Sequence, residues 1–412
     1  FQGGGSSHIN CFKITNALDS VPSDAQVIYA EGFPADKDLY DDTLAAEALK
    51  VAGEADKVVI FAGLPDSFES EGYDRSHMRL PDCQNRLIAE ILKVQPNAII
   101  VLHNGSPVEM PWLNDVKGLL EAYLGGQAGG GAVANILYGK GNPSGKLAET
   151  MPLKLSDNPS YLNFGSGEKV EYREGVFVGY RYYDTKEMDV AYPFGYGLSY
   201  TTFAYSNLNI SNGNPTEKDT ISVSVDVTNT GDMAGKEVVQ LYVKDCTNSA
   251  IRPEKELKGF EKVALDPGET KTVTMELDKR SFAWYNTDLH DWFAASGEYK
   301  ILIGASSRDI RLESKIQLNS SQEIPLHVHM NTTLGELFRN PKTAETAKKL
   351  TASYLSVLNG GEESVSDAAS EAISEEMTLA MTDSMPLRAL MSFGEFSREE
   401  LLDIVEKLNK LI

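Results

Sequence analysis

The apolar residues of this chain change their period twice, and no other feature restricts its fold as much. Up to about Tyr200, short apolar runs alternate with helix-like segments. Lys57 to Ala62 (KVVIFA) has no polar stripe on either face, the pattern of a strand buried on both sides. Asn97 to His103 (NAIIVLH) reads as the next strand and Lys117 to Leu124 as another. Asp41 to Ala55 is rich in Ala, Leu and Glu and reads as a helix. Pro81 to Val94 is amphipathic, with its proline near the start, where a missing N–H costs nothing. Gly131 to Tyr138 begins a further helix. Strands alternating with helices predict an α/β layered sandwich with a mostly parallel sheet.

Beyond Tyr200 the period becomes two. Ile221, Val223, Val225 and Val227 alternate with Ser222, Ser224 and Asp226. The pattern recurs at Val239, Leu241 and Val243, at Val273, Met275 and Leu277, and at Tyr299, Ile301 and Ile303. Turn signals separate these runs: Asn229 to Gly231, Asp266-Pro267-Gly268 and Ser296-Gly297. An all-β sandwich follows, and the Cys–Trp–Cys spacing of antibody domains is missing, so the expectation is a fibronectin-III-like sandwich. From about Asn319 the spacing is helical again. Ala347, Leu350, Tyr354 and Leu358 share one face, and Ser397 with Glu400 predicts a capping box ahead of Leu401, Ile404, Leu408 and Leu411. Gly360 to Glu376 is expected to be the most mobile piece. Met385-Pro386-Leu387 is expected to dock on a neighbouring domain or on another subunit, which makes a homodimer a candidate assembly. The expected domains are 1–200, 201–318 and a helical extension at 319–412.

Composition narrows the function classes. A chain of 412 residues is long for one core and suits roughly two or three domains. Its formal net charge of −22 repels phosphate backbones, so nucleic acid is not an expected partner. No run approaches the ~18 apolar residues of a spanning helix, so no membrane is expected. Cys11, Cys83 and Cys246 are too far apart for a zinc spacing or a disulfide framework. Three free thiols point to a reducing, cytoplasmic compartment. The chain begins at Phe1 with neither Met nor a signal peptide and reads as a fragment, its native targeting not visible.

One loop concentrates titratable groups: Asp66-Ser67-Phe68-Glu69-Ser70-Glu71-Gly72-Tyr73-Asp74-Arg75. It follows the strand Lys57 to Ala62, and in open parallel sheets sites form beyond the carboxyl ends of strands. Neighbouring negative charge and partial burial would raise a glutamate pKa there, which suits a general acid. The competing reading is a solvated acidic loop shaped by an Asp74–Arg75 pair. Gly126, Ala128 and Gly131 give G-x-A-x-x-G, short of the middle glycine that a pyrophosphate needs, so close helix–strand packing is expected there and no dinucleotide cofactor. His327 and His329 would share a strand face, but no third ligand accompanies them, and no metal is expected. The aromatics Tyr180, Tyr182, Tyr183, Tyr192, Phe194, Tyr196 and Tyr200 are either a sugar platform or junction packing, the second being preferred.

The order of short motifs goes further. Gln2-Gly3-Gly4-Gly5-Ser6-Ser7 is followed by Ser70-Glu71-Gly72-Tyr73-Asp74-Arg75, Leu80-Pro81, His103-Asn104-Gly105-Ser106-Pro107 and Pro111-Trp112. Then come Gly126-Gln127-Ala128-Gly129, Asn142-Pro143-Ser144-Gly145-Lys146-Leu147, Gly179-Tyr180-Arg181-Tyr182-Tyr183-Asp184 and Pro193-Phe194-Gly195-Tyr196-Gly197-Leu198-Ser199-Tyr200. The series resembles the second catalytic-site domain of glycoside hydrolase family 3. Arg252-Pro253, Glu256-Leu257-Lys258-Gly259-Phe260 and Pro267-Gly268-Glu269-Thr270 resemble the fibronectin-III-like domain that follows it in β-glucosidases of that family.

The resemblance implies a retaining hydrolase acting on terminal β-D-glucosyl residues of a glucoside or oligosaccharide. Its acid/base would be Glu71, with Glu69 as a poorer match. Ser6 aligns with a residue that touches a sugar hydroxyl, and Asp74 and Arg75 would support the loop. The family's nucleophile is an Asp on an N-terminal (β/α)8 barrel. Asn319 to Ile412 is too short and too helical to be that barrel. The barrel is therefore expected as a removed part of the same protein or as a separate chain, and these 412 residues alone are expected to be inactive. Glucose, xylose, arabinose and N-acetylglucosamine are not distinguished, because the barrel would hold most of the sugar ring. The alternative function is a non-catalytic carbohydrate- or protein-binding scaffold module.

Overall fold

The protein is described from a computed structural model covering residues 1–165, 167–349, 375–393 and 396–412. It divides into two compact units, Phe1–Gln322 and Glu323–Ile412.

The first unit opens with an α/β region. Strands β1 (Val59–Gly63), β2 (Ile99–His103) and β3 (Gly118–Glu121) form a parallel sheet in the order β1-β2-β3. Helix α1 (Asp42–Glu54) is capped by Asp41, whose carboxylate accepts from the Thr43 and Leu44 amides. Helix α2 (Asp82–Val94) follows Pro81 and buries Leu87, Ile88, Ile91 and Leu92 against Ile100 and Leu102 of β2. Parallel strands need such crossovers, and the apolar helix faces cover the sheet. The β3 ladder is shorter than the apolar run Lys117 to Leu124 suggests. Tyr123 takes a left-handed backbone (φ 47°), and its amide turns to the Glu121 carboxylate.

After helix α3 (Gly129–Leu137), helix α4 (Tyr180–Thr185) and the short pair β4 (Met151–Pro152) and β5 (Val190–Tyr192), the sandwich begins. One sheet runs in the order β10-β7-β6, from β6 (Phe203–Ile210), β7 (Ile221–Asn229) and β10 (Thr270–Leu277). The other runs β14-β13-β8-β9, from β8 (Gly235–Asp245), β9 (Glu256–Leu265), β13 (Gly297–Gly304) and β14 (Ile310–Leu318). In the chain between β10 and β13, β11 (Trp284–Asn286) and β12 (Asp291–Phe293) form a hairpin. Alternation places Ile221, Val223, Val225 and Val227 opposite Leu241, Tyr299, Ile301 and Ile303 in one core. Strand β8 departs from simple alternation: Tyr242 is buried as well as Leu241 and Val243. Its outer face is covered by Tyr180, which stacks on Phe194 at 4.7 Å and meets Tyr242 edge-on at 6.0 Å. Tyr180 and Phe194 of the aromatic group are thus junction packing, whereas Tyr200 is exposed.

After the one-turn helix α5 (Lys279–Phe282) of the sandwich, the second unit holds short helices: α6 (Leu334–Arg339), α7 (Glu375–Ser384), a 3-10 segment (Leu387–Phe393) and α8 (Arg398–Leu411). The Ser397/Glu400 capping box is present, and a second one joins Thr333 and Glu336. Met385 and Leu387 are buried in this unit's own core with Leu334, Leu337, Leu401 and Leu408. This corrects the expectation that they dock elsewhere: the Leu334 amide bonds the Met385 carbonyl and the Leu387 amide the Thr332 carbonyl, which folds the cluster inward. Leu350, Tyr354, Leu358 and the stretch from Gly360 to Ser374 lie outside the described residues. Among the described residues no helix is long and apolar enough to cross a membrane.

Candidate active site

The acidic loop leaves the carboxyl end of β1, where open parallel sheets collect functional groups. Tyr73 closes it locally by donating its hydroxyl to the Asp66 carbonyl. A second strand of chain meets it from far away in sequence. Gly4 pairs with Ser70 in a parallel bridge, and the 3-10 turn Gly5–Ser7 then faces Glu71. The Ser6 amide donates to Glu71 Oε2 at 2.6 Å, and the Ser6 hydroxyl donates to the same oxygen. Glu71 is exposed.

Those two donors, the hydroxyl first and then the amide, hold the Glu71 carboxyl below the ordinary glutamate range. The sequence reading anticipated the opposite, a pKa raised by burial and like charge. For so exposed a carboxylate desolvation is the smallest of the three effects, so the hydrogen bonds decide the direction.

Glu69 is held differently. It accepts from the Gly105 amide at 2.7 Å and from the Ser106 hydroxyl. Arg75 donates Nη1 to Ser106 Oγ at 2.7 Å and to the Pro107 carbonyl at 3.2 Å. Burial lowers the Arg75 pKa, against the pull of Glu69 and Glu109. Asp74 is exposed and forms no ion pair with Arg75 or with any other described residue. The two neighbours therefore do not make the pair that the sequence suggested; Arg75 alone ties this side of the loop to the β2 turn.

Below the loop lies a carboxyl group that sequence reasoning missed. Glu121, at the end of β3, accepts from the Tyr123 amide at 2.9 Å and from the Asn104 side chain at 3.3 Å. Desolvation raises its pKa to about 7, with smaller contributions from Glu149 and Glu69. Burial raises Glu149 as well. The only sequence signal was the position of Glu121 inside the apolar run Lys117 to Leu124.

The glycine-rich stretch is closely packed at Gly130. A Cβ on Gly130 would collide with the backbone of Thr15 and Asn16, and the Thr15 amide bonds the Gln127 carbonyl at 2.9 Å. The chain's own N-terminal segment occupies the helix start. Among the described residues no three His, Cys, Asp or Glu side chains are grouped as a metal would require, and His327 and His329 are exposed. Cys11, Cys83 and Cys246 are free thiols.

A helix-covered parallel sheet, with an antiparallel sandwich following in the same unit, defines an α/β region joined to an all-β domain. Comparison with known proteins makes the class definite. Residues 1–200 match the glycosyl hydrolase family 3 C-terminal domain, and residues 237–307 match the fibronectin type III-like domain. The chain belongs to glycoside hydrolase family 3. It is 49% identical to thermostable beta-glucosidase B of Acetivibrio thermocellus over 418 aligned residues, which take in 100% of this chain and 54% of that protein. It is 45% identical to an exo-alpha-(1->6)-L-arabinopyranosidase of Bifidobacterium breve, covering 75% of this chain and 41% of the relative. Among solved structures, the family 3 beta-glucosidase of Bifidobacterium adolescentis superposes with a TM-score of 0.77 at 43% identity, covering 83% of this chain and 51% of the other. The Kluyveromyces marxianus beta-glucosidase, solved with glucose, gives a TM-score of 0.65 at 45% identity, covering 69% of this chain and 34% of the other. The chain spans about half the length, or less, of these relatives.

Proposed function

We propose that this chain supplies the general acid/base, Glu71, of a retaining glycosidase acting on terminal β-D-glucosyl residues, and that the nucleophile comes from a (β/α)8 barrel domain outside these residues. The observation that carries the reading is the placement of Glu71: an exposed carboxylate at the carboxyl end of β1, on a loop whose neighbouring Glu69 and Arg75 are both anchored. A retaining pair needs its carboxyl groups roughly 5 to 5.5 Å apart, so the acid has to stand at a surface that the second domain can approach. Large apolar side chains in the same unit are consistent with such a covering domain: Phe12 is 92% exposed and Leu162 87%.

In this chain Ser6 occupies Glu71. A bound sugar hydroxyl would take over Ser6, and desolvation by substrate and barrel would raise the carboxyl toward the value an acid needs. Glu71 would then protonate the leaving oxygen and afterwards deprotonate the water that releases the glycosyl-enzyme. The division of the chain at 1–200, 201–318 and 319–412 belongs to the same reading. Self-association through Met385 and Leu387 does not, since both are buried within their own unit. The arabinopyranosidase among the relatives supports leaving the choice of sugar to the barrel. The test joins residues 1–412 to a family 3 barrel and compares Glu71→Gln with Glu69→Gln on activated and unactivated glucosides. If Glu69→Gln alone depends on the leaving group, the acid is assigned to the wrong glutamate.

A further inference from the structure

Both shoulders of the Glu71 loop meet at one hydroxyl. Glu69, two residues before Glu71, accepts from Ser106 Oγ; Arg75, four residues after it, donates Nη1 to the same oxygen at 2.7 Å. Beyond the backbone bridge of Gly4 to Ser70 and the bond of the Glu69 amide to the Pro65 carbonyl, these two side chains have few other partners. Among the described residues, apart from Ser106, the Glu69 carboxylate accepts only from the Gly105 amide, and Arg75 donates only to the Pro107 carbonyl. Arg75 Nε and Nη2 are buried without partners, so the guanidinium depends on what its one engaged nitrogen finds. These are charge-assisted hydrogen bonds, the stronger kind.

The hydroxyl itself stands on a fixed base. Asn104 is fully buried and donates to the Ser106 carbonyl at 3.0 Å and to Glu121 at the end of β3. Gly105 lets the turn approach the loop: a Cβ there would lie 3.2 Å from both Glu69 carboxylate oxygens. The turn after β2 is thus tied to the sheet below and to the loop above.

We propose that Ser106 is a positioning residue, a two-way clamp that sets where the loop presents Glu71 to Ser6 and to substrate. The proposal rests on the reading of Glu71 as acid/base, and it concerns what holds that residue in place.

The experiment uses residues 1–412. Amide hydrogen exchange is followed by mass spectrometry, and the Glu71 carboxyl is titrated by NMR, in the unsubstituted protein, Ser106→Ala and Ser106→Thr. Ser106→Ala should speed exchange of the amides of residues 69–75 roughly tenfold or more relative to β1, β2 and β3. The Glu71 titration should move up toward the ordinary glutamate range as the Ser6 contact loosens. Ser106→Thr, which keeps a hydroxyl, should restore both. Unchanged loop exchange and titration in Ser106→Ala would overturn the clamp. So would a loosening spread evenly over the three strands, which marks a general loss of stability. Neither readout involves turnover, so failure here is distinct from failure of the acid/base assignment, which only the leaving-group comparison reaches.

Discussion

Ser6 and Glu71, sixty-five positions apart, share two hydrogen bonds, with the Ser6 amide 2.6 Å from Glu71 Oε2. Gly5 makes room for them. Its backbone is left-handed (φ 84°), and a Cβ there would lie 2.5 Å from Glu71 Cβ and 2.8 Å from Oε2. Ser6→Ala and Gly5→Ala should therefore both raise the Glu71 titration toward the ordinary glutamate value, the first by removing a donor and the second by displacing the carboxylate. A carboxyl depressed in the native state contributes stability above its unfolded pKa and loses it as pH falls through the native value. Both variants should weaken that acid-side loss. A carboxyl NMR titration checks the direction, and an unmoved Glu71 in Ser6→Ala would refute it.

Joined to a family 3 barrel, Glu71→Gln should lose roughly 10² to 10⁴-fold on glucosides with poor leaving groups. Glycosyl-enzyme formation should persist on activated ones, which need no proton. Azide should then speed release of the trapped sugar, since an anion needs no general base. Glu69→Gln should show neither the leaving-group dependence nor the azide rescue, because that carboxylate is committed to Gly105 and Ser106. If the nucleophile lies on a barrel, as proposed, residues 1–412 alone should not hydrolyse an aryl β-glucoside.

Glu121 predicts a pH dependence of opposite sign. Its native pKa is raised from 4.5 to about 7, so the folded state holds a proton that the unfolded chain releases. Stability should be full below the unfolded value and fall as pH rises from about 4.5 to about 7, by at most ~3 kcal/mol. Urea unfolding at a series of pH values measures this. Glu121→Gln, which cannot ionise, should flatten that part of the curve, and an unchanged curve would exclude Glu121 as its source.

Gly195→Ala should be among the costly single substitutions in the first unit. Gly195 has φ 79°, and a Cβ there would run into the Gln240 side chain. Gln240 is buried and committed, donating to the Gly195 carbonyl at 3.0 Å and the Ala305 carbonyl at 2.8 Å and accepting from Tyr242 at 2.6 Å. Strain and displacement together should cost about 3 kcal/mol, seen as a lower denaturation midpoint. A loss below about 0.5 kcal/mol would mean that the junction can yield.

Much of the architecture was legible locally. Period two placed Ile221, Val223, Val225 and Val227 on the buried face of β7, because a strand with one covered face must alternate. Ser397 with Glu400 marked the start of α8, because the cap is satisfied within four residues. The loop after Lys57 to Ala62 was identifiable as a candidate site, since its strand ends there and its charges follow. The order of motifs pointed to the family.

What the sequence could not decide was every relation made across distance. Ser6 meets Glu71 only because Gly4 bridges Ser70, and Arg75 turns from Asp74 to Ser106 because the β2 turn stands beside it. Met385 and Leu387 read as an exposed docking patch until the Thr332 and Leu334 backbone folded them inward. The direction of the Glu71 pKa followed from exposure and two donors, neither of which is written near residue 71. Periodicity records which side of an element is covered, a local property. Which loops meet depends on strand register and on the path of the chain between elements, and those are settled only when the whole unit packs.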